Sequence, residues 1–254
     1  MKQEAGHTFL AKLGKTRLRP GGKKATDWLI KQGQFSKNKR VLEVACNMCT
    51  TSIYLAQTYG CQIDAIDLNK KALMHGQQNV KNAGLEDLIH TQQANAMNLP
   101  FEDESFDIVL NEAMLTMLPL VAKTQALKEY YRVLKPGGVL LTHDIAIMNE
   151  PQAETIRHDL SEAINVKVTP LPKSEWLELY HSAQFQLIAA QHGPMTLMTP
   201  KGMIYDEGFK NTFKIIKNAL KKENRPMFKR MYTTFKKHKN DLNYIVFCAR
   251  KQAK

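Results

Sequence analysis

Between Arg40 and Ile145 the chain alternates short runs of β-branched and apolar residues with longer stretches of helical spacing, and no other feature narrows its possible folds as far. Arg40 to Cys46 (RVLEVAC) reads as a buried strand, and Gln62 to Asp67 (QIDAID), Leu88 to Asn95, Phe106 to Glu112 (FDIVLNE) and Val139 to Ile145 (VLLTHDI) read as four further strands. Between them, Thr50 to Tyr59, Asn69 to Ala83 closed by Gly84, and Leu120 to Leu134 closed by Lys135-Pro136-Gly137-Gly138 read as helices. Strands joined through helices run parallel, in a sheet covered on both faces. Further along, Ser174 to Gln184 reads as a helix capped by Ser174, Phe185 to Gln191 as a sixth strand and Leu242 to Ala249 as the last. The expectation is an α/β fold with a seven-stranded, mostly parallel sheet and helices on both faces. Residues 193–240, rich in Met and Lys, carry two helical patterns and read as a helical insertion or substrate cap between the last two strands. Residues 1–192 and 241–254 then form the sheet domain, with residues 1–34 as an N-terminal lid segment that includes a short helix from Thr26 to Gly33.

Composition excludes several classes. In 254 residues, 43% are hydrophobic and 24% charged, which separates this chain from disordered, collagenous and coiled-coil sequences. No run approaches the roughly 20 apolar residues of a membrane span, and the first residues lack the apolar centre of a secretory signal, so a cytoplasmic protein is expected. Four cysteines are too few for a disulfide framework at this length. The net charge of +12 is unevenly spread: residues 1–40 hold 11 basic against 2 acidic residues and residues 201–254 hold 15 against 4. Such flanks suit either solvated helix faces or an anionic partner, but no aromatic RNA-binding signature accompanies them.

Ligands of a parallel sheet bind at the carboxyl ends of its strands, and the residues there carry a resemblance. VLEVACNMC ends the first strand with Glu43 and turns through Ala45, Cys46, Asn47 and Cys49; IDAIDLN ends the second with Asp67 and Leu68. Asn95 and Ala96 follow the third strand, Asn111 and Glu112 end the fourth, and YRVLKPGGVLLTHDI leads into the fifth. In this order the segments resemble the class I S-adenosylmethionine-dependent methyltransferase family, particularly its small-molecule branch, strongly over residues 40–145 and weakly over 174–191. The resemblance implies a Rossmann-like sheet with S-adenosylmethionine as cofactor. It also implies Asp67 on the ribose hydroxyls, Asn95 and Ala96 at the adenine, Asn111 near the methionine part, and Glu43, Ala45, Cys46, Asn47 and Leu68 around the ligand. One departure stands out: where the family pattern has three glycines, this chain has Ala45, Asn47 and Cys49. Glycine serves in such a turn because it lacks Cβ and tolerates positive φ. Ala and Asn are mild replacements, whereas Cys49 leaves two outcomes open, a reshaped but competent loop or lost binding.

Other motifs compete less well. Gly14-Lys15-Thr16 resembles the end of a phosphate loop, but the first glycine of that motif would fall on Phe9. A nicotinamide fingerprint would need glycines at Ala45, Asn47 and Thr50. Cys46-x-x-Cys49 has no second pair, so no metal site is assigned. Arg19-Pro20-Gly21-Gly22 stays open between a solvated turn and a segment lying over the cofactor, with Arg19 on its carboxylate. His143 and Asp144 end the fifth strand and stay open between proton acceptor and structural roles; no catalytic residue is assigned. The Met195–Met203 stretch stays open between an apolar substrate lining and core filler. The expected activity is methyl transfer to a small-molecule acceptor. The alternatives are an RNA or protein methyltransferase using the basic flanks, with nucleic acid the less favoured partner, and a non-catalytic descendant. Oligomeric state is not legible.

Overall fold

A computed structural model describes residues 4–253; the first three residues of the expected lid segment and Lys254 lie outside them. The sheet order is β3-β2-β1-β4-β5-β8-β7, built from Arg40–Val44 (β1), Gln62–Asp67 (β2), Ile89–Gln93 (β3), Phe106–Glu112 (β4), Leu134–Ile147 (β5), Phe185–Pro194 (β7) and Leu242–Lys251 (β8). β8 pairs antiparallel with both of its neighbours and the remaining ladders are parallel. The order reverses between β1 and β4, where a doubly wound sheet opens a crevice at its carboxyl edge. The α/β, mostly parallel expectation holds, with one strand more than expected: the two-residue β6 (Leu171–Pro172) joins the end of β5.

Strand parity sorts the core into two layers. Leu42, Val44 and Val109 face the helices α5 (Leu120–Val133) and α7 (Lys173–Ser182), where Tyr130 and Trp176 are fully buried. Val41, Ile63, Ile108 and Leu110 face α2 (Gly22–Gly33), α3 (Thr50–Tyr59) and α4 (Lys70–Asn82). Each fully buried aliphatic side chain contributes roughly 1.5–3 kcal/mol. The Lys135–Gly138 run does not terminate anything: α5 already ends at Val133, and the run lies inside β5 as an irregular stretch, with a register shift opposite Phe106 and Ile108.

A third cluster lies apart from the sheet. It joins α1 (Gly6–Leu13), through Phe9, Leu10 and Leu13, to α8 (Pro200–Ala219) and α9 (Arg225–Lys237), through Met203, Ile215 and Met231. The two helices expected in residues 193–240 are α8 and α9, while α1 and α6 (Ala153–Ile164) were not expected. Among the described residues no helix is long and apolar enough to cross a membrane.

Candidate active site

The loop that leaves β1 solves the glycine problem by backbone geometry. Ala45, Asn47 and Cys49 take φ values of 58°, 49° and 57°, so each position where the family pattern has glycine adopts the left-handed conformation without it. That conformation costs a non-glycine residue roughly 1–2 kcal/mol. Backbone bonds hold it: Cys46 N donates to Ile66 O at 2.9 Å and Cys49 N to Cys46 O at 2.8 Å. The Cys49 side chain is fully buried and packs towards Gly76 of α4; a Cβ on Gly76 would lie 2.8 Å from Cys49 Sγ and 2.9 Å from Asn47 O. Thus the room that the loop needs is supplied by a glycine on the opposing helix. Cys49 does not line the cavity inside the loop, whereas Ala45, Cys46 and Asn47 do.

That cavity, about 570 Å³, opens along the carboxyl ends of β1, β2, β3 and β4, within the size range of ligand pockets. At the end of β2, Asp67 accepts from Asn47 N on Oδ2 at 2.9 Å and from Asn69 N on Oδ1 at 2.7 Å. Two backbone donors fix the carboxylate, and each oxygen keeps a lone pair for a ligand. Leu68 lies at the rim, 65% exposed. After β3, Asn95 and Ala96 line the wall; Asn95 Oδ1 accepts from Met97 N at 3.0 Å, which orients the amide.

At the end of β4 adjacent residues part company. Glu112 lines the cavity, while Asn111 is fully buried elsewhere, beside the Tyr130 hydroxyl, so the expected contact of Asn111 with a ligand is not formed by its position here. Successive strand side chains point to opposite faces, and the acidic neighbour takes the ligand side. Arg19 Nε lies 3.2 Å from Glu112 Oε1, and its other nitrogens donate to Thr26 and Thr51. Burial would push the Glu112 carboxyl up, but the Arg19 charge and bonds from His143 and Thr26 hold it down at about 2. Glu43 accepts from Ser52 N at 2.9 Å and from the Ser52 hydroxyl; burial outweighs those bonds and the Arg19 charge and pushes its carboxyl up to about 7.

His143 is fully buried with both ring nitrogens engaged. Gly21 N donates to Nε2 at 2.9 Å, so Nε2 is the acceptor and Nδ1 carries the hydrogen that faces Glu112 Oε2 at 3.0 Å. Asp144 accepts from Thr116 N at 3.1 Å and from Ile145 N. Neither residue lines the cavity; both hold backbone segments around it.

The roof comes from the N-terminal segment. Thr16, Leu18 and Arg19 line the cavity with His7 of α1 at its edge. Glu207 accepts from Thr16 N, Thr16 Oγ1 and Arg17 N at 2.8–3.0 Å, and Asp206 from Lys23 N at 2.8 Å. The Arg19-Pro20-Gly21-Gly22 turn is therefore no solvated turn: Cβ atoms would lie 2.5 Å from Tyr244 at Gly21 and 2.3 Å from the Asp206 carboxylate at Gly22. Sequence reasoning missed Thr16 and Leu18 because their surroundings were tested only as a phosphate loop. It also missed Met97, Met114, Met117 and Leu118, which give the cavity an apolar part of its lining. No residue of 193–240 lines the cavity; Met195 and Met198 border a separate crevice of about 130 Å³.

The donor set fits S-adenosylmethionine. A fixed carboxylate suits a ribose diol, a guanidinium and two acids suit the two charged groups of an amino acid, and the turn leaves the space next to it free of Cys49.

Comparison with known proteins agrees. A family model described as a methyltransferase domain matches residues 41–138. An uncharacterized protein of Haemophilus influenzae is 57% identical over 250 residues, 98% of this chain and 99% of its own length. A demethylmenaquinone methyltransferase of Listeria welshimeri is 38% identical over 126 residues, 48% of this chain; the chain spans about half (51%) of that relative's length. Among solved structures, MccD protein superposes with a TM-score of 0.75 at 21% identity over 93% of this chain and all (100%) of its own. A geranyl diphosphate methyltransferase in complex with S-adenosylmethionine gives 0.68 at 13% identity, covering 90% and 84%. With the motif order, the sheet order and the domain match in agreement, residues 41–138 belong to the methyltransferase-domain family, in the motif order and fold of the class I S-adenosylmethionine-dependent methyltransferases.

Proposed function

We propose that the protein methylates a small, largely apolar molecule that enters beside the cofactor under the N-terminal roof. The observation that carries this reading is that one cavity is lined both by Asp67 and Arg19 and by the apolar Met97, Met114, Met117 and Leu118, with Thr16 and Leu18 of the N-terminal segment also in its lining. A pocket roofed in this way suits a compact acceptor better than a folded RNA or protein surface. Methionine side chains adapt to ligand shape, which suits an apolar acceptor of irregular outline.

In this reading Asp67 holds the ribose hydroxyls, and Asn95 and Ala96 flank the adenine. Ala45, Cys46, Asn47 and Leu68 bound the ligand along the turn. Arg19 takes the carboxylate of the amino-acid end, and Glu43 with Glu112 faces its ammonium. When bound, S-adenosylmethionine supplies a methyl group activated by a sulfonium. The protein's own task is then alignment and exclusion of water, for which holding the reactants in line is worth up to roughly 7–11 kcal/mol. With His143 fully engaged, no residue at the cavity is assigned as a base.

The test is incubation with methyl-labelled S-adenosylmethionine and separate pools of small molecules, RNA and protein. Label in an organic-extractable, low-mass product is expected; label only in RNA or protein contradicts the reading.

A further inference from the structure

The last three turns or so of α8, beyond Gly208, present an outer face with no partner among the described residues. Gly208, with φ 75° and ψ 165°, breaks α8 after the Asp206–Glu207 clamp. Beyond the break, Thr212, Ile215 and Ala219 are buried, and Asn211 Nδ2 and Asn218 Nδ2 donate to the carbonyls of Gly14 and Leu13 at 3.0 Å. This inner face fixes the helix to α1. On the outer face Phe209 is 79% exposed, Phe213 72%, Ile216 39% and Leu220 63%, at spacings of four, three and four residues that make one continuous stripe. Exposed large apolar residues arranged as a stripe, not singly, mark an interaction surface.

Charge selects the partner. Lys210, Lys214, Lys217, Lys221 and Lys222 are exposed around the stripe, no acidic residue occurs from Phe209 to Lys222, and none of the five is ion-paired among the described residues. A second copy of this face would bring like charges together. RNA would pair with the lysines and stack on Phe209 and Phe213 but would leave Ile216 and Leu220 unused. An anionic bilayer uses all of them: apolar side chains enter the acyl boundary while lysine stems lie along the helix and carry their ammonium groups to the headgroups.

We propose that the Phe209–Leu220 face of α8 docks the protein onto the surface of an anionic lipid bilayer. The helix lies in the interface plane and does not cross it. Asn211 and Asn218 hold α1, which carries His7 at the cavity edge, on the opposite face of the same helix. The inference stands independently of which acceptor is methylated.

The test is sedimentation of the full-length protein with phosphatidylcholine vesicles and with vesicles containing about a third phosphatidylglycerol. Binding is expected to the anionic vesicles only and to weaken with added salt. The Phe209→Ser/Phe213→Ser variant should lose it by more than about tenfold, and Lys210→Gln/Lys214→Gln should reduce it several-fold. Both variants should keep the thermal shift given by S-adenosylhomocysteine, which shows that they are folded. Equal partition of wild type and variants, or none at all, overturns the proposal. So does a concentration-dependent self-association that the Phe variant abolishes, which would assign the face to a second copy. Binding of tRNA fragments that the Lys variant abolishes, without vesicle binding, would assign it to nucleic acid and overturns the proposal equally.

Discussion

Glu43 and Glu112 stand on neighbouring strands and both feel the charge of Arg19, and their surroundings separate them. Glu112 has Arg19 at 3.2 Å and donors from His143 and Thr26, and stays ionised down to about 2. Glu43, more fully desolvated relative to its donors, is pushed up to about 7. Two consequences follow at this scale. In the folded state Glu43 binds its proton up to about pH 7, whereas unfolded it releases it near 4.5, so its contribution makes stability fall as pH rises through that window. Glu43→Gln should flatten that fall, which denaturant titrations at pH 5 and 8 would measure as a smaller stability difference than in wild type; an unchanged difference contradicts the Glu43 environment described here. A cofactor ammonium at Glu43 would favour its ionised form, so binding at pH 6 should release protons. Calorimetry in buffers of different ionisation enthalpy would show a slope for wild type and a much smaller one for Glu43→Gln.

At the scale of elements, the glycine-poor turn and helix α4 form one unit. Replacing a helix-interior glycine by alanine ordinarily gains about 1 kcal/mol. Gly76→Ala should instead destabilise by about 1–3 kcal/mol and weaken cofactor binding, because its Cβ would press on Asn47 O and Cys49 Sγ at under 3 Å. Thermal melts decide by sign. The roof is likewise tied to the sheet through the His143 ring: His143→Ala would strand the Gly21 N–H, at about 1–3 kcal/mol for a buried group left unpaired, while Glu112 Oε2 keeps its bond from Thr26. Faster limited proteolysis near residues 15–22 is the expected readout.

Much of this was legible in the chain. The apolar runs from β1 to β5 and the acids that end β1 and β2 are local patterns, and local patterns survive translation into sequence. What was not legible depends on contacts remote in sequence. Gly76 compensates for Cys49 27 positions earlier, a pairing that no spacing rule announces. The orientation of Asn111 against Glu112 is a matter of strand parity at the last pair, which two adjacent polar residues do not reveal. Helix α1 was hidden in a basic leader because its apolar residues, Phe9, Leu10 and Leu13, pack on α8, some 200 residues away.

At the scale of the whole molecule, a sheet edge that presents carboxylates and a left-handed turn is closed over by a segment that carries Arg19 and is anchored to α8 through Asp206 and Glu207. The basic flanks become, in three dimensions, the roof and the helices behind it, with the anionic residues turned inward to hold the roof. Everything rests on the turn at Ala45–Cys49 leaving room for the cofactor despite its side chains. The direct measurement is calorimetric titration of the wild-type protein and of Asp67→Ala with S-adenosylhomocysteine. One saturable site per chain in wild type, weakened about 10- to 100-fold in Asp67→Ala through the loss of charged hydrogen bonds worth roughly 1.5–3 kcal/mol, is the expected result. No saturable heat with wild type, or equal affinity in the two proteins, would contradict it.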